Sequence, residues 1–242
     1  NDIHLLRKYK YYQKDEPCAL AKVLRAVDWH HQKAASEVVD ILRHWAPIGP
    51  AEAMDLLDAS FADSMTRSHA VKAMRLMTDA QLETVLLQIC QVLKYELYLD
   101  NDLSKFLLER ALKNQRIGHF FFWYLRSEMH LPEAQLRYGL LLEAYCRGCG
   151  GHMPVLQAQV DGLDQLVRLA CDIKPKSVTK DKRIPMVEEG LKAANLKPFL
   201  NPYDPSLVLN PPRCKNVMDS KKLPLWLVFK NAKTEEDIHI IF

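Results

Sequence analysis

Proline divides this chain of 242 residues into a part that can form long helices and a part that cannot. Five of the 13 prolines lie in the first 174 residues, whereas seven lie between Pro175 and Pro212. A proline inside a helix removes a backbone hydrogen bond and clashes with the preceding turn. The sequence therefore predicts packed helices up to about Lys174, followed by extended, linking chain.

The composition is that of a folded protein with few turns. Charged residues make up 26% and hydrophobic residues 48%, as in ordinary globular domains. Only 8 glycines argue against all-β sandwiches and against glycine-rich dinucleotide-binding units. The net charge of +3 is too small to make nucleic acid or an anionic membrane the partner of the whole chain.

One helix start is predicted clearly by a local sequence pattern. Thr78 to Gln81 is a capping box, in which the two side chains satisfy backbone N–H groups at the helix start. The apolar residues that follow recur at helical spacing: Leu82, Val85, Leu86, Ile89 and Leu93. A second apolar face predicts that this helix is covered on two sides: Leu87, Cys90, Val92 and Leu97.

Two prolines stand where further helices are expected to begin, at the first helical position. Pro50 follows Gly49, and its helix has a predicted buried face formed by Met54, Leu57 and Phe61. Pro132 is predicted to begin another helix, whose buried face is Leu136, Gly139, Leu140, Glu143 and Ala144. Helix pairs are expected near His31, Asp63, Asn101 and Pro132, a spacing of about 31 to 38 residues that is typical of helical repeats.

We therefore expect a mainly α fold, a right-handed HEAT-like α–α superhelix over residues 1–174 with a small truncated antiparallel β element after it. Residues 175–212 are expected to hold a last helix, over Ile184–Leu196, and a proline-rich linker. Residues 213–242 are expected to form two or three strands, the clearest being Leu225–Phe229 and Ile238–Phe242. The apolar last residues predict that the chain is a piece of a longer protein.

No complete catalytic or metal site is predicted from the residues. Cys146, Cys149 and His152 have the spacing of zinc ligands, but a structural zinc site needs four, and a glycine-rich helix end explains them better. Three histidines are accompanied by no catalytic constellation of Ser, Cys or carboxylate and are expected at helix caps or in the core: His30, His31 and His119.

Two further segments have ordinary structural interpretations. Phe120–Leu125 resembles a base-stacking platform only in composition, because six successive apolar residues on a helix point in all directions. We predict a central buried helix there. The basic residues between Lys174 and Arg183 are predicted to form a solvated loop rather than a membrane-binding surface.

The string Gln88–Glu96, followed by Tyr98-Leu99-Asp100, carries a family resemblance. It is similar to the signature of the helical accessory (PIK) domain of phosphoinositide 3-kinase catalytic subunits, and resembles the class I enzymes more than the others. The similarity continues in register: Phe106–Leu112, Asn114–Trp123, Arg126–His130 and Leu142–Arg147. It covers nearly the whole chain and is weakest from Asp172 to Pro198. Leu6 stands where the family has a tryptophan.

The string Lys215–Leu227 is similar to the first hairpin of the kinase N-lobe. The resemblance implies that Ser220, Lys221 and Lys222 face the phosphates of ATP. It also implies that four residues line the adenine pocket: Met218, Pro224, Trp226 and Ile241. In the family a lysine follows the position of Phe242, and an acidic stretch precedes that of Asn1, so both are expected outside this chain.

The resemblance implies that the intact protein is a cytoplasmic lipid kinase recruited to membranes, which uses ATP and Mg²⁺ to phosphorylate the inositol 3-hydroxyl in lipid signalling. It implies a heterodimer with a regulatory subunit, and contacts with kinase, C2 and Ras-binding domains. The chain alone is expected to be inactive, to bind no cofactor tightly and to bind no nucleic acid. The alternative from another class is a free-standing helical-repeat adaptor that binds proteins.

Overall fold

A computed structural model gives the fold and describes residues 2–174, 179–193, 199–218 and 224–242. These residues form eleven α-helices and a four-stranded antiparallel sheet, which confirms the prediction of a mainly α fold with a small antiparallel β element. The helices are α1 (Asp2–Tyr9), α2 (Leu20–Arg25), α3 (Gln32–His44), α4 (Pro50–Asp55), α5 (Ser64–Met74), α6 (Asp79–Val92), α7 (Asp102–Lys113), α8 (Gln115–Glu128), α9 (Gln135–Gly148), α10 (Met153–Asp172) and α11 (Lys180–Ala193). The strands are β1 (Phe199–Leu200), β2 (Leu207–Val217), β3 (Leu225–Asn231) and β4 (Asp237–Ile241).

The chain divides into two compact units, Asn1–Gly148 and Cys149–Phe242. The first, which contains α1 to α9, is called the helical unit below. The second, which contains α10, α11 and the sheet, is called the sheet unit. The class and the handedness of the helical repeat remain predictions. In the described part of the chain, no helix is both long enough and apolar enough to cross a membrane.

Helix α8 occupies the centre of the helical unit, as predicted for the aromatic run. It contacts α6, α7 and α9. Phe121, Phe122 and Leu125 are buried, and the other three residues of the run are half-buried. Gly118 lies where α8 meets α9, because a Cβ there would stand 2.2 Å from the Tyr145 hydroxyl and 2.6 Å from the carbonyl oxygen of Ala111.

The helix starts that depend on local chemistry are confirmed. The Thr78–Gln81 capping box begins α6, and Pro50 is the first residue of α4. Asp63 caps α5 by accepting from the backbone N–H of Thr66, and Asn101 caps α7 in the same way from Ser104. The stripe on α6 is buried at Leu82, Leu86, Ile89 and Leu93.

The prediction for α9 is wrong in both its start and its buried face. Leu131 accepts from the backbone N–H groups of Ala134 and Gln135, so a turn contains Pro132 and the helix begins at Gln135. The buried residues are Tyr138 and Tyr145, two helical turns apart, whereas Leu136 is 64% exposed and Leu140 is 45% exposed. Tyr138 can be buried on this face because its hydroxyl donates to the carbonyl of Cys90 (2.9 Å), and the Tyr145 ring packs edge-on against Phe121.

The prediction of a second covered face on α6 is also wrong in part. Cys90 is fully buried there, but Leu87 is 38% exposed and Leu97 is 63% exposed. Helix α6 ends at Val92 and the chain turns away, so Leu97 no longer belongs to its surface.

The sheet unit has a core between α10, α11 and one face of the sheet. Val187 and Leu191 of the predicted last helix are buried, while Ala194 lies outside the described residues. That helix begins at Lys180, so the basic segment is not a loop from there onward. The extended chain before Arg213 pairs in the sheet, because β1 pairs with β2 and β2 already begins at Leu207. The sheet therefore has four strands in the described residues, one more than expected.

Candidate functional site

The two faces of the sheet differ in what covers them. Side chains alternate along β3, and Leu225, Leu227 and Phe229 enter the core formed with α10 and α11. Trp226 points to the opposite, outward face, where it is half-buried. On this face Val228 is buried but Trp226 is only half-buried, so the area around Trp226 is the part of the sheet unit that is open to a ligand.

The outward face gathers the described residues that the family resemblance assigned to an adenine pocket. Trp226 lies directly opposite Ile241 on β4, and Ile241 is 60% exposed. The backbone N–H of Met218 donates to the carbonyl of Pro224 (2.9 Å), which sets these two residues side by side at the end of the hairpin. By alternation from the buried Val217 and Leu225, Met218 and Pro224 belong to the face that carries Trp226.

Two residues that the sequence did not single out complete this surface. The ammonium of Lys215 lies 4.9 Å from the centroid of the Trp226 ring, and the His239 ring meets it edge-on at 5.8 Å. Lys215 reaches the ring because the register of β2 against β3 shifts between Cys214 and Asn216. Such a bulge adds one residue to a strand and redirects its side chain, which the simple alternation of the sequence does not predict.

The remaining predicted residues of this site, Ser220, Lys221 and Lys222, lie outside the described residues. The bond between Met218 and Pro224 joins the two described residues nearest to them in sequence. What the structure shows is a flat aromatic and aliphatic surface with a cation beside it. This surface can bind a planar apolar ring, and His239 and Lys215 are titratable side chains that the structure describes against Trp226.

The other candidate residues take structural positions. His31 is the residue before α3, and His119 is buried with its ring edge-on to Phe120. Burial raises the pKa of the Cys149 thiol, which disfavours the thiolate that a zinc ligand must supply. Among the described residues, no three His, Cys, Asp or Glu side chains are placed to hold a metal ion.

The strongest polar feature of the helical unit is a buried ion pair that the sequence analysis missed. The guanidinium of Arg67 on α5 donates from Nε to Glu96 (2.7 Å), and both side chains are less than a tenth exposed. Nη1 of the same guanidinium donates to the carbonyls of Leu57 (3.0 Å) and Phe61 (3.1 Å). Arg67 therefore joins the chain after α4 to the chain after α6.

The loop that carries Glu96 is also held by α9. Arg137 donates from Nη1 to the carbonyl of Tyr98 (2.6 Å) and from Nη2 to that of Glu96. Tyr138 fixes the end of α6 beside it, and burial raises the pKa of its hydroxyl. Helices α5, α6 and α9 are thereby fastened at one loop, and this arrangement is structural rather than catalytic.

Comparisons with known proteins find similarity over both the helical unit and the sheet unit. Residues 1–158 match the phosphoinositide 3-kinase family, accessory domain (PIK domain). Phosphatidylinositol 3-kinase 2 of Dictyostelium discoideum is 41% identical over an alignment of 238 residues that covers 96% of this chain and 13% of that protein. Phosphatidylinositol 3-kinase 1 of the same organism is 38% identical over an alignment of 248 residues, gaps included, that covers 100% of this chain and 15% of that protein.

The chain thus spans well under a fifth of the length of these two curated relatives. The family match covers most of the chain, and the relatives extend it across the sheet. We conclude that this chain belongs to the phosphoinositide 3-kinase family and contains its accessory (PIK) domain.

Proposed function

We propose that this chain is the scaffold portion of a phosphatidylinositol 3-kinase catalytic subunit, most similar to class I. The whole protein would transfer the γ-phosphate of ATP to the 3-hydroxyl of an inositol lipid. The observation that carries the proposal is the match of residues 1–158 to the accessory domain, together with two relatives named as phosphatidylinositol 3-kinases.

The sheet unit would contribute one wall of the nucleotide site. Met218, Pro224, Trp226 and Ile241 form an apolar surface of the kind that holds a purine ring. Lys215, beside Trp226, adds a positive charge near that wall. Ser220, Lys221 and Lys222 are proposed to face the phosphates, and Mg²⁺ would neutralise the charge that develops on them.

The helical unit would serve as a rigid support. Its capped helices and its buried Arg67–Glu96 pair restrict movement between helices, as a scaffold requires. Exposed leucines such as Leu136 and Leu140 would be covered by other parts of the enzyme. The kinase, C2 and Ras-binding domains and a regulatory subunit are the proposed partners, and the enzyme would work in the cytoplasm and at membranes.

The test is a lipid kinase assay on the full-length protein that contains this chain. We expect Mg-ATP-dependent phosphate incorporation into phosphatidylinositol lipids at the inositol 3-hydroxyl, and none from the 242-residue chain alone. Phosphorylation at another hydroxyl, or the lack of any lipid kinase activity in a folded full-length protein, would contradict the proposal. The free-standing adaptor is not favoured, because the similarity to the two kinases continues through the sheet.

A further inference from the structure

The start of the helical unit carries a stripe of apolar side chains without a covering element in the described structure. Leu5, Tyr9 and Tyr12 follow each other at intervals of four and three residues, which places them on one side of α1 and of the turn after it. Their side chains are 52%, 43% and 85% exposed. The rings of Tyr9 and Tyr12 lie 5.9 Å apart, which confirms that the stripe is continuous.

The other side of this segment is fastened to the helical unit. Arg7 donates from Nε to the carbonyl of Ala26 (2.5 Å) at the end of α2, and Lys10 forms an ion pair with Glu37 on α3. The hydrogen bond from Lys10 lowers the pKa of Glu37. Because two long cations anchor the inner side, the orientation of the segment is fixed and the stripe is presented outward.

Positive charge accompanies the stripe. Between Ile3 and Lys14 there are four lysines or arginines and no acidic residue. The ammonium of Lys8 lies 5.1 Å from the centroid of the Tyr9 ring, so charge and aromatic surface are neighbours. Lys8 and Lys14 are both exposed and have no ion-pair partner among the described contacts. The acidic residues nearest in sequence on the C-terminal side, Asp15 and Glu16, come directly after Lys14.

We propose that this segment, Ile3 to Lys14, is a docking surface for an anionic lipid membrane. Tyrosines favour the boundary between water and acyl chains, and Leu5 on the same side supplies an aliphatic group that enters it. Lys8 and Lys14 would contact anionic headgroups, as basic residues beside a membrane-facing helix do.

The composition of the surface favours lipid over the two other kinds of macromolecule. Interface cores between proteins are depleted in lysine, whereas here lysines alternate with the tyrosines. Single-stranded nucleic acid also binds aromatic and basic residues, but it has no use for exposed aliphatic groups such as Leu5, which is 52% exposed. The proposal does not depend on kinase activity, so its failure would leave the lipid kinase assay unaffected.

The experiment measures co-sedimentation of the 242-residue chain with two kinds of vesicle. One is phosphatidylcholine alone, and the other contains phosphatidylserine at about one lipid in three. We expect binding to the anionic vesicles, weakening as salt is raised because the headgroup attraction is screened. Equal binding to both vesicles, or no binding to either at low salt, would overturn the proposal.

Two double variants test the residues. Lys8→Gln with Lys14→Gln should weaken partitioning about 25-fold, since each cation near an anionic surface contributes about fivefold. Tyr9→Ser with Tyr12→Ser should weaken it at least tenfold by removing the interfacial rings. The control, Lys192→Gln with Lys233→Gln, changes the same charge at exposed positions of the sheet unit and should leave binding nearly unchanged.

Melting temperatures of all three variants should equal that of the parent chain, because the changed side chains are exposed. An equal loss of binding in the control pair would show that only total charge matters and would contradict a surface at Ile3 to Lys14. Displacement from vesicles by a single-stranded oligonucleotide that binds more tightly than the lipid would also overturn the proposal in favour of nucleic acid.

Discussion

Each of the two units of this chain is stabilised internally by a different kind of ion pair. In the helical unit, a buried ion pair between Arg67 and Glu96 joins α5 to the loop after α6. In the sheet unit, the described ion pair between Arg213 and Asp237 is exposed, and the core is mostly apolar. Helices use their backbone hydrogen bonds internally, so only side chains can fasten one helix to another, whereas sheet strands share theirs. The helices of the helical unit therefore pack through side chains that are mostly apolar, and the Arg67–Glu96 pair adds a buried polar link among them.

The largest expected effect comes from breaking the buried ion pair. Glu96→Ala leaves the Arg67 charge buried without its partner, and we expect the helical unit to lose about 3–5 kcal/mol of unfolding free energy. Asp237→Ala, the matched change in the sheet unit, should cost at most about 1 kcal/mol because its pair is exposed. Amide hydrogen exchange, followed separately for the two units, measures both.

Glu96→Gln is the conservative control, because its amide oxygen still accepts from Nε of Arg67. It should lose less stability than Glu96→Ala. If Glu96→Ala and Asp237→Ala lower the free energy of unfolding equally, the buried ion pair of the helical unit is not more stabilising than the exposed pair of the sheet unit.

A smaller effect is expected at the closest helix contacts. Gly118→Ala drives a methyl group against Tyr145 and against a backbone carbonyl that cannot move aside, so we expect a loss of about 1–3 kcal/mol or slightly more. Gly162→Ala in the sheet unit meets only the Phe199 ring, at 2.5 Å, and a side chain can shift more easily than backbone. Gly162→Ala should therefore lower the free energy of unfolding by less than Gly118→Ala does.

Gly139→Ala is the control on α9. Its new methyl group meets nothing closer than a Met129 carbon at 3.8 Å, so it should gain about 0.5–1 kcal/mol from the better helix former. Urea unfolding of the three variants gives the order. A Gly118→Ala protein as stable as the parent would contradict the close packing of α8 against α9.

The smallest expected effect is a loss of stability in acid. We expect it in the helical unit, where the carboxyls with lowered pKa values lie. Hydrogen bonds from Lys113 and Arg75 lower the pKa of Glu109 to about 2, and partners of Asp79 and Glu83 lower their pKa values as well. A lowered carboxyl pKa adds stability above the unfolded value, about 4.3 for glutamate, and this stability is lost as the pH falls toward 2.

We therefore expect the helical unit to lose stability progressively below about pH 5, as its lowered carboxyls take up protons. Urea unfolding between about pH 6 and about pH 2, roughly the range over which carboxyl groups titrate, measures the slope. Glu109→Gln should flatten that slope slightly. A slope that is unchanged in Glu109→Gln would show that the exposed pairs of this carboxylate add nothing.

Features set by neighbouring residues were predictable from the sequence, and features set by distant ones were not. The caps at Thr78 and Asn101 act within four residues, so their sequence patterns are sufficient. The partner of Arg67 lies 29 residues away, and no local pattern indicates it. On α9 the leucine spacing predicted a helix but could not say which side the neighbouring helices cover.

The candidate site shows the same division. Trp226 looks like an ordinary strand residue, and only the family resemblance indicated a binding role for it. The bulge that brings Lys215 to its ring depends on pairing between β2 and β3, which alternation within one strand does not encode.

The central claim is that the outward face of the sheet, rather than the helical unit, contributes to nucleotide binding. The most direct test is the KM for ATP of the full-length enzyme carrying Trp226→Ala, with Tyr138→Phe in the helical unit as the control. Loss of an aromatic contact to a base should raise the KM roughly tenfold, while Tyr138→Phe should leave the KM unchanged even where it lowers stability. An unchanged KM in a stable Trp226→Ala enzyme would contradict the claim.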